Sequence, residues 1–418
     1  MRIVTRLSLA TALAGMALAA PAMAKDKEPK AAPAKYTPAV QSALVDAQKA
    51  LAANDLPTAQ AKLATAKAAA VTPDDKYVTG SLEYQLYQKN KDQAMLVDGI
   101  DMMLESGKAA PDLQAQLYVN QGKIAYQAKN YAKAETALIA AQKAGSTDAD
   151  LIPVLVSAQS FNGRTLQALQ TLNAAIEANV AANKPVPAEW FQRGVTIGFT
   201  AKGTPADLAP IREQTGMLTK RWLAAFPTKS NWHDAIAIYR DQTKPPTDVI
   251  VDAFRLMRAV GALNADVDYR EYADDIYRRF PGETVEVLKE GGAKGFLNLS
   301  GKNDAAEVLQ ITQPKVAADK ASLTGAEKAA RAAATGTSAL TTADAYVGYG
   351  MYPQAIDLYK VALQKGGVDA GTINLHMGWA MASSGDAAGA KIAFAAVTGT
   401  RKTLADYWLI HLDHPTQG

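Results

Sequence analysis

Between Thr341 and Val397 the apolar and small positions recur at helix-face spacing twice in succession. Tyr346, Tyr352, Ala355, Tyr359 and Ala362 carry the pattern first, and Gly378, Met381, Ala390, Phe394 and Val397 carry it again. Ala355 and Ala390 stand 35 residues apart. A small residue between larger ones, repeated at that period, suits two antiparallel helices whose backbones approach closely, so the pattern predicts consecutive helical hairpins.

The same period runs through the N-terminal half. Val40, Leu44, Ala47 and Leu51 mark one helix face, Asn54-Asp55 breaks it, and Leu56, Ala59, Leu63 and Ala66 mark the return. A poorer copy leads from Leu82, Leu86 and Tyr87 through Lys89-Asn90-Lys91-Asp92 into Ala94. The clearest copy holds Tyr118, Gly122, Ala125, Tyr131, Ala134, Leu138 and Ala141 around a Lys129-Asn130 turn, with Gly145 closing the second helix. Val156, Gln159, Leu166, Ala168, Leu172 and Ala175 repeat it about Asn162-Gly163. The marker alanines Ala59, Ala94, Ala134 and Ala168 are 35, 40 and 34 residues apart, a drift that a stack of repeats tolerates.

Tyr118-Gly122-Ala134-Leu138-Ala141 and Gly378-Ala390-Phe394 resemble the tetratricopeptide repeat, a helix-turn-helix unit of about 34 residues. The resemblance covers most of residues 39–180 and 337–400, and departs at Ala47, Leu82, Val156 and Ala343, where the glycine is missing. It implies an all-α fold, a right-handed superhelix (α-solenoid) of stacked repeats whose first helices line a concave groove. Carried over, that places Gln48, Lys123, Tyr126, Gln127, Ser157, Ser160 and Trp379 on the groove side. Such a mixture of hydrogen-bonding and amphipathic groups suits peptide contact, and suits a plain solvated face equally. The carboxylate clamp of the family needs Lys and Asn in slots held here by Val119 and Lys123, then basic residues where Pro153 and Ser157 stand, so that cargo class is disfavoured.

Elsewhere the pattern changes character. Arg2 and Arg6 precede an apolar run from Leu7 to Ala20, followed by Ala22-Met23-Ala24, which reads as a cleaved signal over residues 1–24. Residues 25–37, rich in Lys, Ala and Pro, read as a disordered linker. The N-terminal array occupies 38–184 and ends at Lys184-Pro185-Val186-Pro187. Residues 185–301 read as degenerate helical hairpins, with a distinct all-α domain as the alternative. Residues 302–334, rich in Ala and Lys, read as a connector helix. Residues 335–418 hold the C-terminal repeats, with Leu404 to Leu412 around Trp408 as the capping helix of an open end.

Composition narrows the function. The chain has no cysteine, which excludes a lipoprotein anchor and a disulfide framework, so an exported chain is expected in a periplasm, with secretion as the lesser alternative. Loss of Arg2 and Arg6 leaves 42 basic against 41 acidic residues, a balance that argues against nucleic acid or an anionic membrane as partner. No second apolar run is long enough to span a membrane.

Candidate chemistry is sparse. His411 and His414 stand at helix spacing without a visible third metal ligand, and His376, one turn from Trp379, reads as packing. Gly295 to Asn303 and Gly348-Tyr349-Gly350 fail as phosphate or dinucleotide loops for want of a preceding strand and the right residues. Glu105-Ser106 is similar to the Glu-Ser pair of lytic transglycosylases, but no lysozyme-like segment surrounds it. The sequence therefore predicts a periplasmic, non-enzymatic scaffold without cofactor or metal, binding a partner protein or peptide in its groove. The alternatives are a soluble glycan or small-molecule binder using Trp190, Trp232 or Trp379 and, more remotely, a peptidoglycan-cleaving enzyme resting on Glu105.

Overall fold

The computed structural model describes residues 34–417, and the signal segment 1–24 with most of the 25–37 linker lies outside the described residues. The described chain is all-α, with no strand and one isolated β-bridge. It divides after Pro111 into two compact units. No described helix is long and apolar enough to cross a membrane.

In the first unit, α1 (Pro38–Ala52) pairs with α2 (Leu56–Ala69), and α3 (Pro73–Asn90) pairs with α4 (Gln93–Glu105). The turns follow a common local rule. Asn54 and Lys91 adopt positive φ, and the next residue, Asp55 or Asp92, accepts a backbone N–H of the following helix as its N-cap. The break expected at Asn54-Asp55 is such a turn. In the second pair the backbones meet glycine to glycine, since a Cβ on Gly80 would lie 2.6 Å from the Gly99 carbonyl oxygen and one on Gly99 2.7 Å from that of Gly80. Sequence reading missed this contact because the glycines sit outside the repeat slots. Glu83, buried beside it with Oε2 unpartnered, has its carboxyl pushed up to about 7 by that burial. Residues 34–37, expected to be part of a disordered linker, are instead tied to α3. The Lys35 and Thr37 N–H groups each donate to a carboxylate, Asp74 and Asp75 respectively, at 2.9 Å.

The second unit begins with α5 (Pro111–Gln127) and α6 (Tyr131–Lys143), continues through α7 (Leu151–Phe161) and α8 (Thr165–Ala181), and then through α9 (Ala188–Phe199) and α10 (Pro205–Ala225). The repeat glycines behave as the resemblance requires. A Cβ on Gly122 would meet the Leu138 side chain at 2.5 Å, and one on Gly378 would meet Phe394 at 2.6 Å, so each glycine makes room for the large residue of the second helix.

Hairpin succession persists through the middle third as α11 (Lys229–Thr243), α12 (Thr247–Ala259), α13 (Asp266–Ile276) and α14 (Pro281–Ala293). The region expected as one connector helix is two, α15 (Asp304–Thr312) and α16 (Val316–Ala332), joined by a single 3-10 turn, because Pro314 interrupts the run. α16 packs against α14 and α17 (Thr337–Gly348). The terminal pairs are α17 with α18 (Tyr352–Lys365) and α19 (Ala370–Ser383) with α20 (Ala387–Ala395).

The last helix, α21 (Lys402–Asp413), does not cap an open end. It returns to pack on α10 and α12 as well as α20. Trp408 stacks on Phe394 at 5.3 Å, Tyr407 meets Trp232 edge-on at 6.1 Å, and Lys220 pairs with Asp406 at 2.5 Å. One apolar core accordingly joins Leu223 through Val308 with Leu375 through Trp408. The physical reason is the apolar load of α21, where Leu404, Ala405, Tyr407 and Trp408 are all buried.

Candidate functional site

The second unit holds a cleft of about 670 Å³ against α14, α16, α17 and α19. α14 turns Gly282, Glu286 and Lys289 along one stripe, α16 contributes Val316 and Lys320, and the α17–α18 turn contributes Tyr349 and Gly350. Trp379 of α19 closes one side. Tyr349 is laid flat onto α14 because Gly282 has no side chain; a Cβ there would lie 2.4 Å from its ring. Its hydroxyl donates to Asp319 at 2.6 Å, and burial together with that carboxylate raises the phenol above its ordinary range. Lys320 Nζ lies 5.8 Å from the Tyr349 ring centre.

The inner wall rests on a buried ionic network. Arg255 of α12 donates from Nε and Nη2 to the two oxygens of Glu283, at 3.0 and 2.9 Å, and its guanidinium lies 4.6 Å over the Trp379 ring. Asp252 accepts from Arg255 at 3.2 Å, from Arg401 Nε at 2.8 Å and from His376 Nε2 at 2.9 Å. The other imidazole nitrogen, Nδ1, lies 2.7 Å from Asp344 Oδ1, which also accepts from the Tyr359 hydroxyl at 2.7 Å. Burial alone would push the imidazolium down, but Asp344 and Asp252 on its two sides outweigh it and raise His376 to about 9. Both ring nitrogens then donate at neutral pH. Glu283 is likewise held low, since Arg255 and the Tyr272 hydroxyl outweigh the cost of its burial.

His376 was expected as packing. It is a charged clasp between α12 and α17, unrecognisable in sequence because Asp252 lies 124 residues away. The network makes three cations, Arg255, Arg401 and the imidazolium, face three buried acids, Asp252, Glu283 and Asp344, with Asp248 at its edge. At the cleft rim, Arg258 is taken up by Glu290 at 2.6 Å, whereas Lys289, Lys320 and Glu286 form no ion pair among the described residues. What faces a ligand is therefore two free amines, one carboxylate and the aromatic groups Trp379, Tyr349 and Tyr352.

The other residues expected on a groove are scattered. Lys123 is consumed by Asp148 and Asp150, both at 2.9 Å, and holds the start of α7 against α5. Ser157 is buried, donating to the Pro153 carbonyl and accepting from Arg193 at 2.7 Å. Tyr126 packs beside Tyr131 and Phe161. Gln127 is exposed, and Ser160 and Gln48 are half-buried. Trp379 of that set lines the cleft, and the cleft's two free lysines, which sequence reading missed, carried no local signal.

Trp232 is fully buried and Trp190 packs onto a core cluster. Glu105 is exposed and paired to Lys76 at 2.9 Å, while the adjacent Ser106 is buried and bonded to the Met103 carbonyl. His411 lies edge-on to Trp232 and Trp408, and burial lowers it. Among the described residues no group of His, Cys, Asp and Glu is placed to hold a metal ion.

No family model matches the chain, and no curated protein matches it. Among solved structures it is similar to a chain of one titled "Structure of Naa15/Naa10 bound to HypK-THB", with 16% identity and a TM-score of 0.27. The match covers 89% of this chain and 61% of that one, so this chain spans about three fifths of its length.

Proposed function

We propose that this protein is an exported, non-enzymatic binding scaffold, of the tetratricopeptide-like type, that holds an extended segment of a partner protein in the Trp379 cleft. The observation that carries the reading is the pair of unpaired lysines, Lys289 and Lys320, set beside Trp379, Tyr349 and Tyr352 on a wall fixed by buried ion pairs. Lysine and aromatic groups together suit a segment with an acidic side chain next to an apolar one. Binding rather than catalysis is supported by Glu283, whose ion pair with Arg255 holds it ionised and unsuited to general acid work. Export is supported by the Arg2, Arg6 and Leu7–Ala20 pattern, with a periplasm as the compartment.

A second reading, a glycan or small-molecule binder of the envelope, is favoured by the aromatic lining and compact volume of the same cleft. Two variants, Trp379→Ala and Lys289→Glu, separate the readings. Partner capture from the producing cell is expected to fall about tenfold in each, with helicity unchanged. Retained capture, joined to a saturable fluorescence change with cell-wall fragments, would replace the first reading with the second.

A further inference from the structure

A second concavity, of about 620 Å³, lies between α9 and α11. One wall is Gln192, Val195, Thr196 and Phe199, and the facing wall is Asp234, Ala237, Ile238 and Asp241, continued one turn earlier by Ser230 and Asn231. Both sets fall at i, i+3, i+4 and i+7, so each helix turns one continuous stripe into the groove. The floor is Trp222 of α10, buried, with an indole N–H that has no acceptor among the described residues.

The charge of this groove is opposite to that of the Trp379 cleft. Asp241 is exposed at one end and Asp234 one turn in from the other, and the sole ion pair of either among the described residues is a 3.6 Å approach of His233 to Asp234. Four neighbouring cations are engaged elsewhere, and the Lys229 side chain lies along Gly261. Arg193 donates to Ser157, Arg240 pairs with Glu271 over the Phe254 ring, Lys220 is held by Asp406 and Arg221 by Glu177. Lys244 stands beyond Asp241, at the margin of the neighbouring hollow. Between the acids α11 presents Ala237 and Ile238, and on the facing wall Val195 and Phe199, the latter 44% exposed, stand beside Thr196.

Spacing decides what conformation fits. Seven residues of helix place the two aspartates about 10.5 Å apart along α11. On an extended ligand that distance is about three residues, which turns the two side chains to opposite faces. On a helix it is seven residues, which returns them to the same face. We propose that the α9–α11 groove binds an amphipathic α-helical segment of a partner protein, bearing two basic residues seven positions apart around an apolar middle. The proposal is independent of the Trp379 cleft.

The test uses the whole chain and three dye-labelled Ala/Leu helical peptides, read by fluorescence anisotropy. The first carries lysines seven positions apart on its apolar edge, the second carries the same lysines on its opposite face, and the third replaces them with glutamate. The first is expected to bind at least about tenfold tighter than the others, with an affinity that weakens as salt rises. Asp234→Asn with Asp241→Asn is expected to abolish that preference, and Trp379→Ala to leave it intact. Equal binding of the three peptides, no binding of the first, or an unchanged preference in the double asparagine variant would each overturn the proposal.

Discussion

At the scale of single residues, the glycines divide by what they face. Gly80 and Gly99 meet each other's backbone, which cannot move without separating α3 from α4, whereas Gly122 meets Cγ and a methyl of the buried Leu138, a side chain that can shift while the backbone stays in place. Gly80→Ala is therefore expected to destabilise the first unit by about 1–3 kcal/mol, and Gly122→Ala to cost distinctly less. Chemical denaturation followed by circular dichroism measures both, and equal losses would contradict the assignment. The repeat slots at Gly122 and Gly378 are legible because small and large residues alternate there along one chain segment. Lys123 occupies a groove slot by spacing yet spends its charge on Asp148 and Asp150. A charge-reversing Lys123→Glu would bring three acids together, and is expected to loosen α5 from the start of α7 rather than to report on ligand binding.

At the scale of elements, the His376 clasp holds α19 to α12 and α17. Its folded pKa, raised to about 9, lies above the ordinary value of 6.5, so the stabilisation is complete below about pH 6.5 and is lost as pH rises through 9. Tyr359, Arg255 and Arg401 share the same acids but stay in one charge state across that window, since Tyr359 and Arg255 are held well above their ordinary ranges and Arg401 is raised as well. His376→Gln leaves Asp252 and Asp344 short of a cation and is expected to cost roughly 3–5 kcal/mol at pH 7. The wild-type advantage should shrink steadily between pH 7 and 10 in thermal unfolding; a constant difference would show that the imidazolium is not the clasp. Helix positions and turns were legible because each hairpin buries its own period, and because Asp55, Asp92, Asn130 and Asp386 mark helix starts locally. The ionic network was not, since its members are single polar residues on separate helices and turns, from α12 to the turn before α21, and nothing in one segment shows what the others supply.

At the scale of the second unit, the returning α21 changes what kind of object the C-terminal repeats belong to. Trp408, Tyr407 and Asp406 tie the last hairpins to α10 and α11, so the Trp379 cleft has a wall braced from both ends of a closed set of helices rather than from one side of an open stack. Periodicity finds each hairpin but is silent on whether the chain comes back to meet itself, because that contact depends on curvature accumulated over many helices. A braced wall suits a binding surface whose shape is set before the partner arrives, which lowers the ordering cost of association. The most direct measurement is site-specific photo-crosslinking in the producing cell, with a photoreactive residue at Lys289 or Lys320 in the cleft, or at Lys360 on an exposed face of α18. A discrete protein adduct is expected from the two cleft positions and none from Lys360; adducts from all three alike, or from Lys360 alone, would contradict binding in the cleft.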